Sequence, residues 1–184
     1  MENMWIQAAR QGDEEAITQL VTTYQQPIYA LCYRMLGERT EAEDAAQEAL
    51  IKALTNLDKF DAERPFRPWM YRIAANECTD RLRRRRPIAS LDDMGEDDAW
   101  EWYAGCSPNP ERELVAQERT AEVQLLLEQL APEDRMVVTL FYWESLSYQE
   151  ISQITGMTIS AIKSRLFRAR RALARQLVEE EIYA

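Results

Sequence analysis

The chain has 184 residues, of which 46% are hydrophobic and 29% charged, with 22 basic and 32 acidic side chains and no histidine. That length suits one medium or two small domains with a real core. The net charge of −10 excludes a uniformly basic surface, and the lack of histidine removes the commonest general base and the commonest metal ligand.

No apolar run approaches the roughly 20 residues of a membrane span, so membrane insertion is not expected. No basic start with an apolar core marks a signal peptide, and a cytoplasmic location is expected. Cys32, Cys78 and Cys106 form no Cys-x-x-Cys pair, which suits free thiols in a reducing compartment. Cys32 and Cys78 sit on apolar helical faces and read as small core residues. With no Gly-rich phosphate loop and no nucleophile constellation, neither enzyme activity nor a cofactor nor a metal is expected.

Met4 to Arg10 reads as a short helix ended by Gly12. Asp13 can cap the next helix, where Glu14 and Glu15 favour its positive end. Pro27 either starts a new helix or kinks this one. Gly37 ends the run. Thr40 with Glu43 reads as a capping box that opens a helix through Thr55. Its polar stripe of Glu41, Asp44, Gln47, Glu48 and Lys52 is either a solvated surface or an acidic contact.

Leu57 to Trp69 carries Pro65 and Pro68 and reads as a loop, with Pro68 suited to the first position of the following helix. That helix interleaves Trp69, Tyr71 and Arg72 with the arginines of 81–86 and stops at Pro87. Aromatic rings that stack on unpaired bases, beside cations for phosphates, make a single-strand platform. Trp69 and Ile73 are expected to face the core.

Residues 88–110 change character, with six acids, no basic residue, two glycines and two prolines after Ile88. This is an acidic, flexible linker. The role of its Trp100, Trp102 and Tyr103 stays open between docking and simple exposure.

Glu111 to Gln129 reads as helical, and Pro132 starts the next helix. Leu146 to Arg175 then reads as a short helix, a tight turn and a longer helix. Ser147 with Glu150 is a capping box, Gly156 supplies the positive φ of a helix end, and Thr158 can cap the second helix. Ile159, Ile162, Leu166, Ala169 and Leu173 fall on one stripe. Ser160, Lys163, Ser164, Phe167, Arg168 and Arg171 fall on the other side. Six basic residues and no acid lie between Ile159 and Arg175. An apolar back with a basic front is what a helix needs to enter a DNA major groove. The bland alternative is a solvated helical hairpin.

Two local basic clusters on an acidic chain would bind DNA poorly alone, because whole-molecule repulsion opposes them. A partner that holds the clusters against DNA is therefore expected.

Taken together, these features resemble the bacterial RNA polymerase sigma factors of the sigma-70 family, specifically the small extracytoplasmic-function (ECF) group. The residues that carry the resemblance are the stretches 42–49, 66–76, 130–135 and 146–151. Stretch 66–76, Phe-Arg-Pro-Trp-Met-Tyr-Arg-Ile-Ala-Ala-Asn, is similar to the family's Phe-x-x-Trp-Leu-Tyr-Arg-Ile-Ala-x-Asn run. The sequence departs from the family at Leu50 and Leu54, at Pro68, at the Ser160-Ala161 pair and at Arg171.

The resemblance implies an all-α fold of two small helical domains: region two over 1–87, an acidic linker over 88–112, and region four over 113–184. It implies core RNA polymerase and promoter DNA as partners, and an anti-sigma factor as a further one. Asp44, Gln47, Glu48 and Ile51 would grip the polymerase. Lys59, Phe60, Arg64, Phe66, Arg72, Asn76, Arg83 and Arg84 would meet the minus-ten element. Ser160, Lys163, Ser164, Phe167, Arg168 and Arg171 would read the minus-thirty-five element. Asn76 offers both donor and acceptor to a flipped base. The competing readings are a stand-alone helix-turn-helix regulator, which leaves the helix ending at Arg86 unexplained, and a helical adaptor, which would lack one basic cluster.

Overall fold

The computed structural model describes residues 2–85 and 123–183, and all regular structure among them is helical. An N-terminal unit holds α1 (Glu2–Arg10), α2 (Glu14–Leu36), α3 (Arg39–Thr55), a 3-10 turn (Leu57–Lys59) and α4 (Phe66–Arg85). A C-terminal unit holds the helical segment α5 (123–128), α6 (Pro132–Tyr142), α7 (Tyr148–Thr155) and α8 (Ile159–Tyr183). The expected acidic linker, with Trp100, Trp102, Tyr103 and Cys106, lies outside the described residues.

Local sequence explains most helix ends. The Asp13 carboxylate accepts the Ala16 N–H at 2.8 Å. Gly37 closes α2 with φ 81°, and its N–H reaches the Tyr33 carbonyl. α2 runs unbroken through Pro27. A proline inside a helix costs about 3 kcal/mol. Buried Leu20 and Tyr24 before it, and Ile28, Leu31, Cys32 and Met35 after it, hold both halves on one core-facing stripe.

α3 corrects the expected cap. It begins at Arg39, and Glu38 is the capping residue, accepting from the Thr40 and Glu41 N–H groups at 2.9 and 2.7 Å. Glu43 instead pairs with Arg39 at 2.9 Å. The buried face of α3 is alanine only: Ala42, Ala45, Ala46, Ala49 and Ala53. α4 likewise begins earlier than expected, at Phe66, which leaves Pro68 in the first turn, where its missing N–H has no intrahelical partner to lose. Cys32 and Cys78 are both buried free thiols. A hydrogen bond with Cys32, and then burial, push the Cys78 thiol up from its ordinary value.

In the C-terminal unit the Ser147–Glu150 capping box forms with both of its bonds, and Gly156 ends α7 at φ 74°. The Thr158 hydroxyl accepts the Ala161 N–H at 3.2 Å. Ile162, Leu166 and Ala169 are buried as expected, whereas Ile159, on the first turn of α8, is 38% exposed.

The two units share one core, and contacts join them across α2 and α4 on one side and α5, α6 and α7 on the other. Arg135 of α6 is 4% exposed and donates to the Met35 carbonyl at the end of α2 (2.6 Å) and to the Glu128 carbonyl at the end of α5 (2.5 Å). Arg83 pairs with Glu133 at 3.2 Å. Gln124 donates to the Arg34 carbonyl at 3.3 Å.

Hydrogen bonds from the Ser147 backbone and hydroxyl hold the Glu150 carboxyl below its ordinary range. A depressed acid stabilises the fold above its unfolded pKa, and that contribution fades as pH falls through the lower folded value. Ser147→Ala is expected to cost about 1 kcal/mol at neutral pH. In urea melts the gap between wild type and variant should narrow below about pH 4, near the ordinary carboxyl value.

Candidate nucleic-acid and polymerase interfaces

Three outward surfaces carry the residues singled out by sequence. The first is the front of α8. Ser160, Lys163, Ser164, Arg168 and Arg171 are exposed, and Phe167 is half-buried. The Arg171 guanidinium lies over the Phe167 ring at 5.6 Å. Lys163 Nζ lies 5.6 Å from the centre of the Tyr148 ring, which itself stacks on Phe141 at 5.3 Å. Not every cation of α8 belongs to this face. Arg165 turns back to Asp134 at 2.6 Å, and Arg170 donates to the Leu166 carbonyl at 3.2 Å. The charge count alone could not separate these two from the rest.

The second surface is α4 with the loop before it. Lys59, Arg64, Arg72, Asn76, Arg83 and Arg84 are exposed. Arg72 and Asn76 stand one turn apart, and neither side chain makes a hydrogen bond or ion pair among the described residues. The arginine run is divided: Arg81 pairs with Glu77 at 2.7 Å, Arg83 with Glu133, and Arg85 with Glu41 and the Leu36 carbonyl. Lys52 holds Glu77 from the other side at 2.5 Å. Burial works to raise the Glu77 carboxyl, but Lys52 and Arg81 outweigh it and hold it below its usual range.

Phe60 and Phe66 depart from the expected minus-ten set. They are 4% and 3% exposed. Phe66 meets Phe60, Trp69 and Tyr24 at centroid distances of 5.1, 5.4 and 5.3 Å. Arg10 of α1 donates to the Leu57 and Phe60 carbonyls and fixes the loop from below. These rings shape the loop and present no face to solvent. Alternation in a Pro-rich segment does not reveal which aromatics turn inward.

The third surface is the outer stripe of α3. Asp44 and Gln47 are exposed, and Glu48 pairs with Lys52 at 3.5 Å. Ile51 is 48% exposed among them, a large apolar side chain in an acidic surround.

No group of three or more His, Cys, Asp or Glu side chains suited to a metal occurs among the described residues, and no described helix is long and apolar enough to cross a membrane. What the geometry defines is a helix-turn-helix protein with a second, separate basic surface. The sigma-70 region 2 model matches residues 20–88, and the sigma-70 region 4 model matches residues 120–173. The ECF RNA polymerase sigma factor SigW of Bacillus subtilis is 38% identical over 176 residues, covering 94% of each chain. The RNA polymerase sigma-H factor of Pseudomonas aeruginosa is 36% identical over 179 residues, covering 94% of this chain and 91% of that one. Among solved structures, CnrH in complex with the cytosolic domain of CnrY aligns with a TM-score of 0.71 at 26% identity, covering 97% of each chain. The chain belongs to the ECF group of RNA polymerase sigma factors.

If Phe66 is a packing residue, Phe66→Ala should destabilise the fold by about 3–5 kcal/mol, as for a buried aromatic. Phe66→Leu should restore most of that in a thermal melt. A variant that melts like wild type would return Phe66 to the DNA-facing set.

Proposed function

We propose that this sigma factor divides its work among the three surfaces. The outer stripe of α3, with Asp44, Gln47, Glu48 and Ile51, grips core RNA polymerase. Residues 1–87 open the minus-ten element, with Lys59, Arg64, Arg72, Arg83 and Arg84 taking phosphates and Asn76 reading a flipped base. Residues 113–184 read the minus-thirty-five element. Lys163 or Arg168 bonds a guanine edge, Phe167 touches a thymine methyl, and Ser164 takes a phosphate. The stretch 88–112 joins the two domains.

One observation carries this reading: on a chain of net charge −10, Arg72 and Arg84 of α4 and Lys163, Arg168 and Arg171 on the front of α8 stand exposed with no acidic partner among the described residues. Such local patches need a large partner to overcome the repulsion of the whole molecule for DNA. Core polymerase is that partner, which sets the chain at work in the cytoplasm. An anti-sigma factor is a further partner. CnrH, whose fold this chain shares, was solved bound to a domain of another protein.

The direct test is co-purification with core polymerase, followed by run-off transcription on genomic fragments. Association with promoter-specific transcripts is expected. Specific DNA binding without polymerase association would favour a stand-alone regulator. Within the complex, Arg168→Ala should cost about 1–3 kcal/mol of minus-thirty-five discrimination and leave polymerase affinity unchanged. Glu48→Lys should weaken polymerase binding at least severalfold; an unchanged affinity would make the α3 stripe an ordinary solvated surface.

A further inference from the structure

The chain's two DNA-reading surfaces are each open, yet the units that carry them are fastened together. Around the shared core and the buried Arg135, a polar fastening is added by Glu144, in the turn between α6 and α7. Its carboxylate is 9% exposed and accepts the Tyr71 hydroxyl at 2.6 Å. Arg67 donates to the Glu144 main-chain carbonyl at 3.0 Å, and its guanidinium stands 3.6 Å from the carboxylate. Arg34 of α2 approaches the other carboxylate oxygen, also at 3.6 Å, and lies 5.4 Å from the centre of the Trp143 ring. Tyr71 and Arg67 sit one turn apart on α4, with the guanidinium 5.2 Å from the phenol ring. Burial, and then the bond to Glu144, push the Tyr71 hydroxyl up from its ordinary value, so it stays a donor.

The turn that presents Glu144 is strained. Ser145, with φ 52°, is the one non-glycine residue at positive φ among the described residues. Such a conformation persists where surrounding contacts over-determine it.

The fastened form cannot serve a promoter. Elements at minus ten and minus thirty-five are about 25 base pairs apart, roughly 85 Å of duplex at about 3.4 Å per pair. A compact chain of 184 residues has a radius of gyration of about 16 Å. Two units that share a core do not reach across that distance.

We propose that Glu144 is a latch, and that Arg34, Arg67 and Tyr71 form its receptor on the N-terminal unit. The latch holds the free chain closed, and its strength sets how much of the polymerase-binding energy goes into opening. A protein that must open before it binds shows an affinity reduced by the fraction of open molecules. Loosening the latch therefore tightens polymerase binding. It does not alter the grip on a short duplex carrying one element, because the α8 front is already exposed. The inference rests on the two-element reading above.

The experiment uses the full chain as wild type, Tyr71→Phe, Glu144→Gln and the double variant. Tyr71→Phe changes no charge, so it separates the latch from simple electrostatics. Small-angle X-ray scattering reads the radius of gyration, titration reads the affinity for core polymerase, and a short minus-thirty-five duplex serves as control. Each single variant should expand the chain and bind polymerase about tenfold tighter, the lower end for a bond to a charged group. The double variant should gain less than the two singles combined, since both remove one interaction. Duplex affinity should stay level for Tyr71→Phe. An unchanged radius with unchanged polymerase affinity overturns the latch, and so does a gain confined to Glu144→Gln and matched on the duplex, which is a charge effect. Scattering reads the latch even if run-off transcription yields no promoter, so the two readings fail separately.

Discussion

A single buried guanidinium does what neither unit can do alone. Helices end with carbonyls that have no partner of their own. At the ends of α2 and α5 those carbonyls face inward, where an unmade bond costs about 1–3 kcal/mol each. Arg135 answers both ends from one side chain. Its five donors in a rigid fork suit this task, and lysine would not replace it. The junction is therefore built from backbone satisfaction first. The Glu144 contacts and the Arg83–Glu133 pair are added around it.

Charge on this molecule is organised by pairing more than by amount. Acids of α3 and α4 take up Lys52, Arg81 and Arg85, and acids of the C-terminal unit take up Arg83 and Arg165. Among the described residues, exposed cations left without an acid include Arg72 and Arg84 on α4 and Lys163, Arg168 and Arg171 on the front of α8. A net charge computed over the whole chain hides this, and only the spatial pairing exposes it.

Much of the fold was legible because its signals are local. Asp13, Gly37, the Ser147–Glu150 box, Gly156 and Thr158 act within one helical turn, and each sits as its residue type demands. Glu38 escaped because Thr40 is the commoner cap type, and a carboxylate two residues earlier starts the helix sooner by accepting the Thr40 and Glu41 N–H groups. The burial of Phe60 and Phe66 escaped because an aromatic beside a proline reads equally well as a stacking platform or a plug. The union of the two units escaped for a different reason. Tyr71 and Glu144 are 73 residues apart, and Arg135 reaches a carbonyl 100 residues away. No periodicity encodes such a meeting. The apolar face of each helix shows that it must be covered, but not by what.

The alanine face of α3 carries an evolutionary consequence. Any larger side chain there would overfill a close helix contact and cost about 1–3 kcal/mol. The opposite stripe bears no such restriction, since surface changes usually stay within about 0.5 kcal/mol. Heritable variation is thus channelled to one side of the helix. Lineages can retune what α3 presents outward by single substitutions while the scaffold underneath stays silent to selection on that trait.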